Sequence, residues 1–207
     1  MQEHLVRYFD IQARLPLQTE VTDRRGATMP LHAFYVAAIA RMQACHGAGN
    51  KIMFIGNGGS SATASHMAND FTKNGNMRAT CFTDSSAITC LSNDYGYEHV
   101  FAKPIEMFAQ PGDVLVAISA SGNSQNLLNG CAAARAKDCL VITMSGFKPD
   151  NRLRRLGDYN LYVQNDEYGF VETTHIALCT ALLDIAMGWG QEAVPNPVAE
   201  QLNRLLA

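Results

Sequence analysis

The feature that most limits how this chain can fold lies beyond Lys51, where short apolar runs alternate with stretches of helical character. The runs are KIMFI, ATCFT, DVLVAIS, CLVITMS and NLYVQ. Helix-like segments lie near residues 61–73, 98–108, 125–136 and 151–156, and a last helix is predicted from about 171 to 187. Runs this continuously apolar belong to strands buried on both faces. Strands separated by helices are joined by crossovers, so the predicted class is α/β, a three-layer αβα sandwich on a five-stranded parallel sheet. In such sheets ligands gather beyond the carboxyl ends of the strands, where the strand order switches direction.

The first ~50 residues read as two further helices. Leu5, Tyr8, Phe9, Ile11 and Leu15 recur at roughly helical spacing, as do Leu31, Phe34, Ala38, Ile39 and Met42. Residues 24–30 form the break, punctuated by Gly26 and Pro30. A helical pair cannot bury its apolar face alone, so it is expected to pack on the main body or on a partner subunit. With no internal repeat, low-complexity tract or linker, residues 1–207 are predicted to form one domain, with 1–48 as a helical extension.

The net charge of −3 provides no basic field for nucleic acid or an anionic membrane, and neither partner is expected. The N-terminal residues lack the apolar core of a signal peptide. No run reads as a membrane span; the longest candidate, residues 176–189, is interrupted by Thr180, Asp184 and Gly188. The six cysteines include no C-x-x-C pair and mostly sit among apolar residues, which predicts buried, reduced thiols and a cytoplasmic location.

Two loops carry the chemistry. Gly56-Asn57-Gly58-Gly59-Ser60-Ser61 follows a predicted strand and opens a helix. Glycines let backbone approach an anion, and a helix start presents unpaired N–H groups and a positive dipole end. A tight turn with an N-cap would use the same residues. So would a dinucleotide fingerprint, since Gly56-x-Gly58-x-x-Ser61 misses G-x-G-x-x-G only at its last position and Asp84 ends the next strand. The second loop, Ser119-Ala120-Ser121-Gly122-Asn123-Ser124, adds three hydroxyls at another strand-to-helix turn. A dinucleotide site has no evident need for it, and the Gly-Lys-Ser/Thr of a Walker A loop is absent. A compact phosphomonoester fits the pair better, and no nucleotide cofactor is expected.

With both loops in view, the sequence resembles the sugar isomerase (SIS) domain family and, within it, the phosphoheptose isomerases. GNGGSSATASHMANDFTK, SNDYGYEHVFA, GDVLVAISASGNS and VETTHIALCTALLD stand in that family's order and spacing, over about residues 30–188. The resemblance implies a flavodoxin-like sheet, a homotetramer with sites near subunit interfaces, and conversion of sedoheptulose 7-phosphate to D-glycero-D-manno-heptose 7-phosphate. It implies substrate contacts at Asn57, Gly58, Gly59, Ser60, Asp94, Ser119, Ala120, Ser121, Ser124 and Glu172.

Aldose–ketose isomerisation needs a base beside C1 and C2 and an acid for the oxygens, or a metal that polarises the carbonyl. His66 and Asp70 are four residues apart on one helix face, and Glu172 begins the last helix with His175 one turn on. On spacing alone the first is an ordinary helix pair, and His175 a satisfied, partly buried histidine. The resemblance implies more. The positions of His66, Asp70, Glu172 and Thr180 are His, Glu, Gln and His in phosphoheptose isomerases and form the metal and catalytic set. Asp70 is accordingly the expected base and Glu172 the acid or a ligand, with His66, Asp70 and Glu172 as the candidate Zn²⁺ set. Thr180 departs from the pattern, because a threonine hydroxyl is no acid or base near neutral pH. His175 cannot simply replace it, lying about 140° around the helix from residue 180. A non-catalytic phosphosugar-binding or regulatory module, like the family's replication initiator-associating members, is the alternative.

Overall fold

The structure, a computed structural model, describes residues 1–190; the last residues of the predicted domain, 191–207, lie outside them. In chain order the elements are α1 (Gln2–Gln18), β1 (Glu20–Asp23), β2 (Thr28–Met29), α2 (Leu31–Gly47), β3 (Ile52–Gly56), α3 (Gly59–Lys73), β4 (Ala79–Cys81) and α4 (Ser85–Tyr95). They continue with α5 (Ala102–Phe108), β5 (Val114–Ser119), α6 (Gln125–Ala136), β6 (Leu140–Ser145), β7 (Tyr159–Tyr162) and α7 (Tyr168–Ala186).

One seven-stranded sheet runs β2-β1-β7-β6-β5-β3-β4. Strands β3 to β7 are the five predicted parallel strands. The sheet is larger than predicted because β1 and β2 form an antiparallel hairpin added against β7. Its turn and β2 lie in the segment 24–30 read as a helix–helix break, and β1 lies just before it. Asp23 closes its turn by accepting the Arg25 and Ala27 N–H groups on Oδ1, and Gly26 takes the left-handed conformation at φ 81°.

The pleat sorts the strand residues into two cores. Ile52, Phe54, Val114, Val116 and Ile118 pack under α1, α2, α3 and α7, whereas Met53, Ile55, Leu115 and Ala117 pack under α5 and α6. Each fully buried side chain of this size contributes about 1.5–3 kcal/mol. Asp113 anchors the base of β5: wholly buried, it accepts the Lys51 and Gln110 N–H groups and lies 2.6 Å from the Lys51 ammonium.

Helix α4 lies outside the predicted helices; none of its residues is fully buried, and its short apolar stripe, Ile88 and Leu91, is only partly covered by the core. Its start is fixed by Asp84, whose carboxylate caps the Ala87 N–H. The helix expected at 151–156 is only a 3₁₀ turn, Leu153–Arg155. Helix α7 meets the length and composition of a membrane span, with mean hydropathy 1.3, which corrects the reading that no run does. Its Phe170, Val171, Leu178 and Leu182 lie in the core between α1 and the sheet, so here its apolarity serves packing.

Strand order places the loops. From β3 the chain moves outward to β4, then crosses back to β5 on the other side of β3. The loops after β3 and β5 therefore leave neighbouring strands at the switch point, and their helices α3 and α6 cover opposite faces.

Candidate functional site

Residues from both loops line one cleft of about 290 Å³: Asn57, Gly58, Gly59 and Ser60 after β3, and Ser119, Ala120, Ser121 and Ser124 after β5. Helix α7 closes it with Tyr168 and Glu172. Nine of the ten residues expected to contact substrate meet here; Asp94 does not. It lies on α4, accepting from Asn93 Nδ2 at 2.9 Å and from the Cys90 thiol.

The cleft is built to receive an anion. Helix α3 begins after Gly58, whose φ of 54° no β-branched residue would readily take, and α6 begins after Ser124. Neither helix N-terminus is capped by a side chain, so the first-turn N–H groups and the positive ends of two dipoles meet at one place. Within the second loop the Gly122 N–H donates to Ser119 Oγ at 3.1 Å, and the Asn123 N–H donates to Ser121 Oγ at 3.4 Å. Each of these hydroxyls therefore accepts from backbone and keeps its own hydrogen for a ligand.

Glu172 supplies the carboxylate. A Cβ added to Gly59 would fall 2.2 Å from Glu172 Oε2, so the carboxylate rests against the first residue of α3, at its positive end. Gly59→Ala must therefore push Glu172 aside, and it is expected to lower any activity that uses this carboxylate about tenfold, with little loss of thermal stability. Steady-state kinetics alongside a thermal melt checks this.

Helix α7 then follows α3 in the same direction, since eight residues further along both helices Thr180 Oγ1 lies 3.9 Å from Met67 Sδ. That alignment separates the expected catalytic and metal set. His66 Nε2 and Asp70 Oδ2 pair at 3.2 Å, but they sit seven and eleven residues beyond Gly59, about 10 and 16 Å down the helix at 1.5 Å per residue. Neither lines the cleft. Among the described residues no three His, Cys, Asp or Glu side chains gather as metal ligands. His66, Asp70 and Glu172 of one chain thus do not fit a shared Zn²⁺, and Asp70 does not share a cleft with Glu172.

His175 points elsewhere too. It is wholly buried, its Nε2 donates to the Ser145 carbonyl at 3.3 Å, and its Nδ1 has no partner. Burial lowers its pKa to about 4. It ties α7 to the end of β6, and the neighbouring Gly146 N–H bonds to Ala120 O in the cradle loop.

Tyr168 is the lining residue that sequence reasoning missed. It begins α7 one turn before Glu172, braced edge-on by Phe147 with ring centroids 4.8 Å apart. Its i,i+4 relation to Glu172 was the available signal.

Known proteins resemble this chain in sequence and in fold. The SIS domain family matches residues 35–146. The phosphoheptose isomerase of Solidesulfovibrio magneticus is 39% identical over 170 residues, covering 79% of this chain and 82% of that protein. The phosphoheptose isomerase of Helicobacter hepaticus is 40% identical over 143 residues, covering 66% and 72%. The solved structure of phosphoheptose isomerase from Neisseria gonorrhoeae superposes with a TM-score of 0.77 at 33% identity, covering 89% of this chain and 98% of that one.

Proposed function

From membership of the SIS domain family, to which this chain belongs, we propose that it is a phosphoheptose isomerase, converting sedoheptulose 7-phosphate to D-glycero-D-manno-heptose 7-phosphate. One observation carries the reading: two uncapped helix N-termini, four serines and one carboxylate meet in a single cleft. In this reading the phosphate sits against Ser119, Ser121, Ser124 and the start of α6. Anchoring one end of an open-chain sugar there leaves its reactive end for the part of the cleft bounded by Gly59, Tyr168 and Glu172.

The chemistry then follows from the groups present. Glu172 takes the proton from C1 of the ketose, giving an enediolate; the O1 hydroxyl proton passes to O2, and Glu172 delivers its proton to C2, leaving the aldose carbonyl at C1. The developing negative charge on oxygen is stabilised by the N–H groups at the start of α3. Asp70 has no part in these steps because it lies outside the cleft, and no step is assigned to Zn²⁺.

A second reading, a phosphosugar-binding regulatory module, is favoured by Thr180, which packs on Met67 where the phosphoheptose isomerase pattern has a histidine. Incubating the protein with sedoheptulose 7-phosphate, with and without added Zn²⁺, and following aldose formation separates the two. Binding without turnover would favour the regulatory module. Ser121→Ala is expected to weaken phosphosugar affinity about three- to tenfold by calorimetry, and unchanged affinity would count against this placement of the phosphate.

The assembly proposed is a homotetramer. Its support is the apolar surface left on the N-terminal helices: Leu5, Val6, Phe9 and Leu17 of α1 and Val36 of α2 are exposed, although Leu15 and Phe34 enter the core. A cytoplasmic location is proposed from the six free thiols. Burial pushes Cys131 and Cys179 up to about 12, far from thiolate reactivity. Residues 1–207 are proposed as a single SIS unit, with 1–48 as its helical extension.

A further inference from the structure

Asn57 is held by two side chains outside the glycine and serine loops. Its Nδ2 donates to Asn126 Oδ1 at 2.9 Å, and Asn126 Nδ2 donates back to Asn57 Oδ1 at 2.9 Å. The Tyr97 hydroxyl donates to the same Asn57 Oδ1 at 3.0 Å. Asn126 lies buried in the first turn of α6, and its Oδ1 also accepts the Leu127 N–H at 3.0 Å.

The donor count fixes the orientation of Asn57. Its carbonyl already accepts from two donors, and one of its two amide hydrogens is spent on Asn126. Turning the amide over would set NH₂ against NH₂. One N–H remains, on a residue that lines the cleft. The same three side chains join the loop after β3 to the helix after β5, which otherwise belong to opposite faces of the sheet.

We propose that Tyr97 and Asn126 are positioning residues: they clamp Asn57 so that one amide N–H is kept for the ligand, and they hold the two halves of the phosphosugar cleft in register before anything binds. The proposal rests on the phosphosugar reading of that cleft. Holding donors at their bound positions in the free protein reduces the ordering cost of binding.

A double-mutant cycle tests it. Affinities for inorganic phosphate and for sedoheptulose 7-phosphate are measured by calorimetry for the wild type, Tyr97→Phe, Asn57→Ala and the double variant, each with a thermal melt. Tyr97 is half-exposed on the 3₁₀ turn Tyr97–His99 and belongs to neither core, so removing its hydroxyl leaves the melt unchanged. Tyr97→Phe is expected to weaken binding about two- to tenfold, and the double variant to bind no more weakly than Asn57→Ala alone. Additive losses, or no loss from Tyr97→Phe, would overturn the clamp and leave the isomerase reading standing. Should sedoheptulose 7-phosphate bind no more tightly than phosphate, the sugar assignment fails while the phosphate cycle still decides the clamp. Binding of neither by the wild type would overturn both.

Discussion

Replacing Glu172 with Gln is expected to reduce turnover of sedoheptulose 7-phosphate by about 10²- to 10⁴-fold, the range for loss of one general acid–base group. Affinity should change only a few-fold, because the phosphate is held by the serine loop and α6 rather than by Glu172. The size of the effect follows from the inventory of the cleft. Of the residues lining it, Glu172 alone carries a carboxylate, and none is a histidine. Gln keeps the shape and one oxygen beside Gly59 but cannot carry a proton back and forth between carbons. The phosphoheptose isomerase pattern places Gln at this position and a histidine at position 180. This chain carries Glu and Thr at these two positions, so on α7 the ionisable group stands beside Gly59 and a hydroxyl stands beside Met67. Steady-state kinetics with calorimetric binding decides it: an active Glu172→Gln would return the chemistry to groups further down α3.

The second large effect concerns stability in acid. His175 is buried and neutral, with Nε2 donating to Ser145 and Nδ1 unpartnered. Its pKa falls from 6.5 to about 4 because burial disfavours the imidazolium. In the unfolded chain it titrates near 6.5, so between pH 6.5 and about 4 the unfolded state holds a proton that the folded state lacks. Stability attributable to this group is therefore complete above pH 6.5, falls as pH is lowered through that window, and amounts to a loss of about 3 kcal/mol by pH 4. Below pH 4 it falls no further. Urea unfolding across the window should give a clearly shallower slope for His175→Gln than for the wild type, whatever the variant's own stability. Parallel slopes would contradict the assignment. Because His175 tethers α7 beside the end of β6, and α7 carries Tyr168 and Glu172, the same loss of stability acts on the cleft.

Sequence pattern made the parallel core readable because strands buried on both faces leave continuous apolar runs, and the five that were predicted are β3 to β7. It did not reveal β1 and β2, which are four and two residues long, too short for an alternating pattern to stand out. Nor did it reveal α4, whose apolar stripe is short: Ile88 and Leu91 alone pack against the core, among serines and other small polar residues. The phosphate cradle was legible for a local reason: each loop is contiguous in sequence, and its glycines and serines announce a strand-to-helix turn. The candidate catalytic set was not, because its members lie on two helices whose relative register is a tertiary fact. Only the contacts Glu172–Gly59 and Thr180–Met67 show that Glu172 faces the cleft while His66 and Asp70 sit lower on α3. Tyr97 and Asn126 were hidden for the same reason, being 40 and 69 residues from the Asn57 they hold.

Incubating the protein with sedoheptulose 7-phosphate in D₂O and following the sugar by NMR reports both whether the cleft takes the phosphosugar and whether a proton moves along it. Aldose should form, with deuterium entering at C2 of the aldose and at C1 of the recovered ketose, both lost in Glu172→Gln. Saturable binding of the sugar phosphate with neither aldose nor exchange would contradict the isomerase reading.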